Sequence, residues 1–402
     1  MITLEQIQEA ASRLEGVIAK VPFQIAPVLS EMVGAEVWLK KCNLQNTGAF
    51  KIRGAFNKIS LLSDAERARG VIAASAGNHA QGVAWSARYY GIKAYIVMPE
   101  ATPLLKVNAT KAYGAEVILY GNNYDEAYGY ALKYANEHDL VFVHPFADEA
   151  VIAGQGTIAL EMLAKTPDLE MILVPIGGGG LISGVAVAAK SIKPDIRIVG
   201  VTAKGAPAMH DSFYAKRPID SLGVRTIADG IAVRDTSPVT LAYLMRYVDE
   251  VVEVDDEEIA NAILFLIEKQ KLVIEGAGAV GVAALLHGKV KPLNGKIGVV
   301  LSGGNIDVTM LSIIIERGLV KSQRKMKLIV TLVDKPGSLM ALTETLKRVN
   351  ANIVHIEYDR IGRDLAYGDA NVTVALETKG AEHQEEIRRA LRAEKFNFTE
   401  GW

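Results

Sequence analysis

Hydrophobic positions follow a helical period at the start of the chain. Thr3 and Gln6 have the spacing of a capping box, in which two side chains satisfy the first backbone N–H groups of a helix. Apolar residues then recur every three or four positions, which predicts an amphipathic helix. They are Leu4, Ile7, Ala11, Leu14 and Ile18. The chain is therefore expected to open on a helix with one buried face.

The pattern changes after residue 35, where short β-rich runs alternate with segments of helical length. The runs predict strands at residues 36–40, 71–74, 94–98, 116–120, 141–144, 171–176, 197–201 and 296–301. Alternation of this kind is typical of βα units on a mostly parallel sheet, so we expect an α/β fold. Ligands of such folds bind at the carboxyl ends of the strands. The residues just after each strand are therefore the first candidates for chemistry.

The last part of the chain has a pattern of its own. Residues 319–326 are polar and basic, which is typical of a linker. The residues that follow predict, in order, strand 327–333, helix 338–350, strand 352–358, strand 370–376, helix 381–392 and a terminal apolar run at 396–398. This βαββαβ order is a ferredoxin-like plan, and it predicts a second domain over residues 327–402.

Composition and charge narrow the function classes. The 402 residues are half hydrophobic, and 44 basic residues against 46 acidic ones leave a net charge of −2. This balance does not favour nucleic acid or an anionic membrane as a partner, so a small molecule is the expected ligand. The single cysteine, Cys42, excludes an internal disulfide and a cysteine-based zinc site. No signal peptide or membrane-length apolar run is recognised, and we expect a cytoplasmic protein.

A lysine opens the most informative helical segment. Residues 46–55 read Asn-Thr-Gly-Ala-Phe-Lys-Ile-Arg-Gly-Ala, and apolar residues at positions 52, 55, 56, 59 and 62 predict a helix whose first turn carries Lys51. The positive end of the helix dipole and partial burial both disfavour an ammonium group. Lys51 is therefore a candidate for a neutral, nucleophilic amine. An ordinary surface lysine at a helix start is the alternative.

Small residues follow two of the predicted strands. Ser75-Ala76-Gly77-Asn78-His79 comes after strand 71–74, where backbone N–H groups can bind a carboxylate, although a plain tight turn has the same pattern. Gly177-Gly178-Gly179-Gly180-Leu181 follows strand 171–176, and its glycines would let the backbone close around a phosphate. The spacing matches neither G-x-G-x-x-G nor a P-loop, so it gives nucleotide binding little support.

Two polar residues are open to more than one interpretation. Glu275 begins the segment Glu275-Gly276-Ala277-Gly278-Ala279, where a carboxylate can cap a helix or pair locally. Ser302 follows strand 296–301 in the segment Ser302-Gly303-Gly304-Asn305. A serine nucleophile is one interpretation, but no histidine and aspartate that would activate it can be identified from the sequence.

In combination these segments resemble the pyridoxal-phosphate (PLP) enzymes of the tryptophan-synthase β fold (type II), in particular the threonine and serine dehydratases. The resemblance implies a two-lobed catalytic domain over residues 1–318, with open, twisted, mostly parallel sheets and a smaller mobile lobe at about 54–147. Ala49 is a departure from the family, which usually has a serine there.

The resemblance also implies roles for individual residues. Lys51 would hold PLP, residues 177–181 would hold its phosphate, and residues 75–79 would bind the substrate carboxylate. Around the cofactor ring it implies Phe50, Asn78 at the ring hydroxyl, Glu275, and Ser302 at the ring nitrogen. His79 is expected to be structural rather than catalytic.

The activity that the resemblance implies is a deamination. L-Threonine would lose water by β-elimination and then ammonia by hydrolysis, giving 2-oxobutanoate as the first step towards isoleucine, with serine as a side substrate. Lys51, displaced by the substrate amine, would remove the α-proton as general base.

Three positions bear on alternative activities of the same fold. Serine racemases place an acid/base serine where this chain has Ala76, and acidic metal ligands about where it has Thr202 and Ala208. We therefore expect elimination rather than racemisation, and no divalent metal at that position. The alternatives are a serine dehydratase, serine racemase or hydroxyaspartate lyase, a non-catalytic amino-acid-binding regulator, and a nucleotide-binding dehydrogenase.

The C-terminal pattern resembles an ACT domain, the amino-acid-sensing module of biosynthetic enzymes. The D-x-P-G turn at residues 334–337 makes the resemblance specific. It implies an effector site formed by Asp334, Gly337, Ser338, Leu339 and Asn352. Isoleucine is the family expectation for the effector, while valine, another ligand or no ligand stay open. ACT domains usually pair across subunits, so we expect a homodimer or homotetramer.

Overall fold

The computed structural model describes residues 1–291, 295–362 and 365–401, and the chain divides into two compact units, Met1–Asp307 and Val308–Trp402. The strands of the first unit are β1 (Phe23–Ile25), β2 (Glu36–Lys41), β3 (Val71–Ala74), β4 (Ala94–Met98), β5 (Glu116–Leu119), β6 (Val141–Phe142), β7 (Leu169–Pro175), β8 (Arg197–Ala203), β9 (Glu250–Val254) and β10 (Lys296–Leu301). Its helices are α1 (Leu4–Leu14), α2 (Pro27–Val33), α3 (Lys51–Ser60), α4 (Asp64–Arg69), α5 (Asn78–Tyr89), α6 (Leu104–Lys111), α7 (Tyr124–Glu137), α8 (Glu149–Lys165), α9 (Gly180–Ile192), α10 (Ala208–Ala215), α11 (Pro238–Tyr247), α12 (Asp256–Phe265) and α13 (Gly276–Leu286).

The larger sheet of the first unit has six strands in the order β1-β2-β10-β7-β8-β9. All neighbours are parallel except β1 and β2, which confirms the expected α/β fold. Its central strands are apolar because helices cover both faces of a parallel sheet. The two edge strands were not predicted from the sequence. β1 has only three residues, and β9 (Glu-Val-Val-Glu-Val) mixes charged and apolar residues and is only partly buried, so neither is a clear apolar run.

The smaller sheet is all parallel, in the order β5-β4-β3-β6. We call this sheet with α5, α6 and α7 the smaller lobe, and the rest of the first unit the larger lobe. The strands of the smaller lobe fall within residues 71–142, inside the range of about 54–147 that was expected for it. The mobility expected of this lobe stays a prediction.

Two helices link sequence pattern to packing directly. Helix α1 begins with a capping box in which Thr3 and Gln6 exchange hydrogen bonds, as their spacing predicted. Helix α3 packs between α5 of the smaller lobe and α8 of the larger lobe, and buries Ile52, Ala55 and Ile59. The first turn of α3, which carries Lys51, therefore lies where the two lobes meet.

The second unit consists of α14 (Val308–Lys321), β11 (Lys325–Val333), α15 (Ser338–Arg348), β12 (Asn352–Asp359), β13 (Asp369–Glu377), α16 (Ala381–Ala393) and β14 (Asn397–Glu400). Its antiparallel sheet has the order β12-β13-β11-β14, and alternate residues of β11 and β13 form its core with α15 and α16. From β11 onward the element order is βαββαβ, which confirms the ferredoxin-like plan.

The predicted linker at residues 319–326 is wrong. Helix α14 continues to Lys321, β11 begins at Lys325, and the division between the units falls at Asp307 and Val308, not after residue 318. The polar and basic residues lie on the end of a helix and the start of a strand, where Lys325 forms an ion pair with Glu316. A solvated helix end has the composition of a linker, so composition could not distinguish them.

Among the described residues, no helix combines the length and the apolar character needed to cross a membrane.

Candidate active site

Lys51 is the first residue of α3 and lies half-buried in a cavity between the two lobes. Its Nζ donates a hydrogen bond to the carbonyl oxygen of Pro145, 2.7 Å away. Burial lowers the pKa of Lys51 to about 8, and the nearby carboxylate of Glu275 only partly opposes this. The neutral fraction of the amine near neutral pH is therefore far larger than for an ordinary lysine, although the ammonium form still predominates.

The cavity has a volume of about 760 Å³, within the range of small-molecule sites. It brings together every catalytic-domain site residue that the sequence singled out: Phe50, Lys51, Ser75, Ala76, Gly77, Asn78, His79, Gly177, Gly178, Gly179, Gly180, Leu181, Glu275 and Ser302. These residues come from segments up to 250 positions apart, yet each directly precedes or begins a helix or follows a strand. The rule that ligands bind at strand ends therefore located residues 75–79, 177–181 and Ser302, but not Lys51 or Glu275.

The glycine loop, residues 177–180, joins β7 to α9 and is shaped by close contact with Phe146. A Cβ atom at Gly178 would lie 2.3 Å from a ring carbon of Phe146, and one at Gly180 would lie 2.6 Å from its carbonyl oxygen. Gly179 has a φ of +86° and directly precedes α9, where it provides no side-chain cap. The loop thus offers backbone N–H groups and the positive end of a helix dipole to the cavity, a cradle that fits a phosphate.

The segment 75–79 forms the turn from β3 to α5. Helix α5 begins at Asn78, and Gly77 before it provides no side-chain cap, so the helix N-terminus is open to a carboxylate. His79 donates from Nε2 to the carbonyl oxygen of Val143, 2.8 Å away, and burial lowers its pKa to about 3. A neutral ring engaged with the backbone agrees with the structural role expected of His79.

Glu275 is 3% exposed and precedes α13, but its side chain does not cap that helix. Its Oε1 accepts a hydrogen bond of 2.7 Å from Nδ2 of Asn78, 197 residues away in the chain. Burial, and then repulsion from Asp229, raises the pKa of Glu275 to about 7. The local interpretations of Glu275 are therefore wrong, and its carboxyl group belongs to the cavity.

Ser302 directly follows β10, is 2% exposed, and accepts a hydrogen bond of 2.9 Å at its carbonyl oxygen from the backbone N–H of Phe50. This bond fixes the residue before Lys51 against the larger sheet. The two histidines that line the cavity are engaged elsewhere, His79 with Val143 and His144 with its own loop. The nucleophile interpretation of Ser302 therefore has no histidine base to support it.

His144 and Pro145 are cavity residues that the sequence reading missed. Nδ1 of His144 accepts hydrogen bonds from the backbone N–H groups of Phe146 and Ala147, at 3.2 and 2.8 Å. Burial and the nearby charge of Lys51 lower the pKa of His144 to about 4, so the ring stays neutral. Their position was the available signal, because His144 is the last residue of the predicted strand 141–144 and Pro145 comes directly after it.

The mouth of the cavity is crossed by two ion pairs that join the smaller lobe to residues 222–237, which we call the mouth segment. Lys106 lies 2.6 Å from Asp229, and Asp125 lies 2.8 Å from Arg234. No spacing in the sequence indicates these partners, which are more than 100 residues apart. They were not among the predicted site residues.

The predicted effector residues lie in the second unit. Asp334 accepts hydrogen bonds from Tyr358 and Arg360, at 3.0 and 2.8 Å, and Gly337 has a φ of +93° just before α15 begins at Ser338. Asn352 instead lies at the opposite end of the sheet, since it pairs in register with Glu377 whereas Val333 pairs with Asp369. Within one chain the sheet therefore separates Asn352 from the turn; Leu339 lies near the start of α15.

A half-buried lysine amine, facing a glycine cradle at a helix N-terminus, defines an enzyme that binds a phosphorylated carbonyl cofactor through its lysine. Residues 14–303 match the model of the family described as pyridoxal-phosphate dependent enzymes, and the chain belongs to that family. Its cofactor is therefore pyridoxal 5′-phosphate, and the cradle and the amine fit the phosphate and the aldehyde of that molecule.

Individual relatives are similar over much or nearly all of the chain. An L-threonine ammonia-lyase of Thermotoga maritima is 50% identical over 396 residues, covering 98% of each chain. Among solved structures, maize serine racemase aligns with a TM-score of 0.75 at 36% identity, covering 80% of this chain and 99% of its own. Processed threonine deaminase isoform 2 from Solanum lycopersicum aligns with a TM-score of 0.73 at 36% identity, covering 78% and 93%.

Proposed function

We propose that this chain is an L-threonine ammonia-lyase that converts L-threonine to 2-oxobutanoate and ammonia, with L-serine as a side substrate. The observation that carries the proposal is the amine of Lys51, with its lowered pKa of about 8, in one cavity with the glycine cradle and the open turn at residues 75–79. Two relatives with that activity in their names, from Thermotoga maritima and Geobacter sulfurreducens, match it at 50% and 48% identity over nearly the full length.

The cofactor would be held by residues of both lobes. Lys51 would provide the amine, the glycine loop and Leu181 would receive the phosphate, and Asn78 and Ser302 would hold the ring hydroxyl and the ring nitrogen. Phe50 and Glu275 complete the site. When bound, PLP withdraws electrons from the α-carbon of the substrate and makes its hydrogen acidic.

The residues of the chain then perform three tasks. The N-terminus of α5 with residues 75–79 binds the substrate carboxylate. The neutral amine of Lys51, released when the substrate amine takes its place, removes the α-proton as general base. Loss of the β-hydroxyl follows, and hydrolysis of the released product gives the 2-oxo acid and ammonia.

Ala76 favours elimination over racemisation. Its side chain lies in the cavity wall and has no proton to transfer, so no acid is available at that position for the second face of the substrate. Although the fold is shared with maize serine racemase, this residue supports the lyase. Chiral analysis of residual serine tests the alternative, since a racemase would accumulate D-serine.

A regulatory role is proposed for the second unit, as a sensor of an amino acid such as isoleucine at the Asp334 turn. Strand β12 is an edge strand, and Val354, Ile356 and Tyr358 on it are exposed. Antiparallel pairing of two such edges would bring Asn352 of a second copy close to the Asp334 turn. This arrangement supports a homodimer or a tetramer built from it. Isoleucine inhibition lost in Asp334→Ala but kept in wild type would support the sensor.

Two further expectations belong to the proposal. Thr202, which would have to be a metal ligand, is buried and donates to the carbonyl oxygen of Val252, and Ala208 has no ligand atom, so no divalent ion is proposed there. The chain is proposed to act in the cytoplasm, where substrate and cofactor are made and where the buried Cys42 stays reduced.

The decisive experiment is the release of 2-oxo acid from L-threonine and L-serine in parallel, by wild type and by Lys51→Ala. We expect faster release from threonine, and a loss of roughly a thousandfold or more in the variant, because both the cofactor bond and the base are removed. Bound cofactor without release from either amino acid would contradict the proposal and favour the regulator or the racemase.

A further inference from the structure

Asn305 connects three segments of the active site, although no function has been assigned to it so far. Its Nδ2 donates to the carbonyl oxygen of Thr47 at 2.9 Å and to Oδ1 of Asn78 at 2.7 Å. Its backbone N–H interacts with the carboxyl group of Glu275. The residue therefore ties the loop before Lys51, the start of α5 and the start of α13 to one point.

The hydrogen bonds form a directed chain. The carbonyl oxygen of Thr47 can only accept, so it must face Nδ2 of Asn305 and not its oxygen. The second proton of that Nδ2 then points to Oδ1 of Asn78, which leaves Nδ2 of Asn78 for Glu275. The backbone of Thr47 thereby dictates which way round the amide of Asn78 is held.

Glu275 could not impose this orientation by itself. A carboxyl group whose pKa lies at about 7 is present both as an acceptor and as a donor near neutral pH. It can satisfy either orientation of the Asn78 amide, whereas the pair of Thr47 and Asn305 allows only one. The packing agrees, because a Cβ atom at Gly48 would lie 2.4 Å from Oδ1 of Asn305, so glycine at this position leaves room for the amide.

We propose that Asn305 is a positioning residue, which fixes the orientation of the Asn78 amide and so presents its N–H side to the ring oxygen of the cofactor. The proposal rests on the cofactor role of Asn78 in the proposed function. Asn305 need not touch the cofactor for this effect. Its contribution should therefore vanish when Asn78 is absent.

A double-mutant cycle tests this dependence. Binding of pyridoxal 5′-phosphate to the full-length apoprotein is titrated for wild type, Asn78→Ala, Asn305→Ala and the double variant. One lost hydrogen bond corresponds to roughly a fivefold to tenfold weaker affinity in each single variant. The double variant is expected to bind within about twofold of Asn78→Ala.

The visible absorbance of the bound cofactor supplies a second measurement that a general loss of packing would not reproduce. A hydrogen bond to the ring oxygen stabilises its negative charge, so its loss should raise the pH at which the absorbance changes. We expect an upward shift of the same size in Asn78→Ala and Asn305→Ala. Asn305→Asp keeps the shape of the side chain but cannot donate to the carbonyl oxygen of Thr47 or to Oδ1 of Asn78. It replaces Asn305→Ala in the test if the alanine variant does not fold.

Asn43→Ala is the matched control. Asn43 is another largely buried asparagine beside the same loop, but it donates only to the carbonyl oxygen of Val273, at 3.3 Å. It should leave the affinity and the absorbance profile unchanged. Additive losses in the double variant, or equal effects of Asn43→Ala and Asn305→Ala, would overturn the role of Asn305. Wild-type affinity for pyridoxal 5′-phosphate in Asn78→Ala would also overturn the role of Asn305, because it would show that Asn78 does not bind the cofactor. The lyase activity is tested separately, by Lys51→Ala.

Discussion

The floor of the cavity and its mouth are built from different contacts. The floor, formed by Lys51, Asn78, Glu275, Asn305 and the glycine loop, is buried or half-buried, and short hydrogen bonds and backbone groups fix it. At the mouth, the ion pairs of Lys106 with Asp229 and Asp125 with Arg234 are largely solvated, with side chains 25% to 56% exposed. Exposed pairs contribute little free energy, whereas buried polar groups are costly to disturb.

The floor and the mouth differ in how strongly function depends on their side chains. Burial brings the pKa values of the ionisable groups at the floor close to neutral pH, since it lowers the pKa of Lys51 to about 8 and raises that of Glu275 to about 7. The mouth can separate at small cost, so it is suited to admit substrate and release product. Substitutions should accordingly have large effects at the floor and small ones at the mouth.

The largest effect is expected for Gly178→Ala. The new methyl group would lie 2.3 to 2.5 Å from three ring carbons of Phe146, so either the ring or the glycine loop must move. Overpacking of this kind costs about 1–3 kcal/mol, which corresponds to a loss of cofactor affinity of roughly tenfold to a hundredfold. Titration of the apoprotein with pyridoxal 5′-phosphate measures it. Gly129→Ala, on α7 with open space around the position, is the control and should bind normally.

The next effect concerns the buried charges behind the floor. Arg53, two residues after Lys51, and Lys40 are 1% and 2% exposed, and both pair with the carboxylate of Glu161. Glu161→Gln leaves these cations without a counter-charge. Breaking a buried pair costs 3–5 kcal/mol, which we reduce to about 2 kcal/mol because Glu161 is 39% exposed.

The sign of its pH dependence follows from the pKa of Glu161. Burial alone would raise that pKa, but Arg53 and Lys40 hold it below the ordinary value of 4.5. The carboxylate therefore stabilises the fold above pH 4.5, and this stability is lost as the pH falls through the lower, folded-state pKa. Denaturation midpoints should differ between wild type and Glu161→Gln at pH 7 and converge in acid. The control is Glu137→Gln, at an exposed residue, whose denaturation midpoint should equal that of wild type at both pH values. A difference at pH 7 as large as that of Glu161→Gln would contradict the distinction between buried and exposed ion pairs.

The sequence predicted the parts of this comparison that are local. Strands β3, β4 and β10 have the predicted bounds because they are short apolar runs between polar turns. Residues 75–79, the glycine loop and Ser302 were found because they follow strands, whereas Lys51 was found because it begins an amphipathic helix. The sequence did not reveal the mouth, the loop at His144 or the role of Asn305. Asn305 bonds to a residue 227 positions away and Arg234 to one 109 positions away, and no local spacing encodes such partners.

A smaller effect is expected for Glu275→Gln on the amine of Lys51. The negative charge of Glu275 favours the ammonium form, so its removal should lower the pKa of Lys51 below about 8. The amide of glutamine can still accept from Asn78, which keeps the hydrogen bond. The rate at which the apoprotein forms its covalent bond with pyridoxal 5′-phosphate should therefore rise with pH through a midpoint lower than that of wild type, by roughly half a pH unit. A midpoint that moves upward would show that Glu275 does not act on Lys51 by charge.

The smallest effect is expected at the mouth, for Arg234→Ala. Its partner Asp125 lies 2.8 Å away, but both side chains are more than 40% exposed, so solvent screens the attraction and the pair contributes little. We expect kcat/KM to change by less than about fivefold, mainly through KM, because substrate entry and not the chemistry is affected. Added salt should produce a similar change in wild type and little in the variant, since exposed charges are screened. Arg88→Ala, at an exposed arginine on α5 of the smaller lobe, is the control. A loss of more than about tenfold in kcat at unchanged KM would mean that the mouth takes part in the chemistry, and that floor and mouth are one structure.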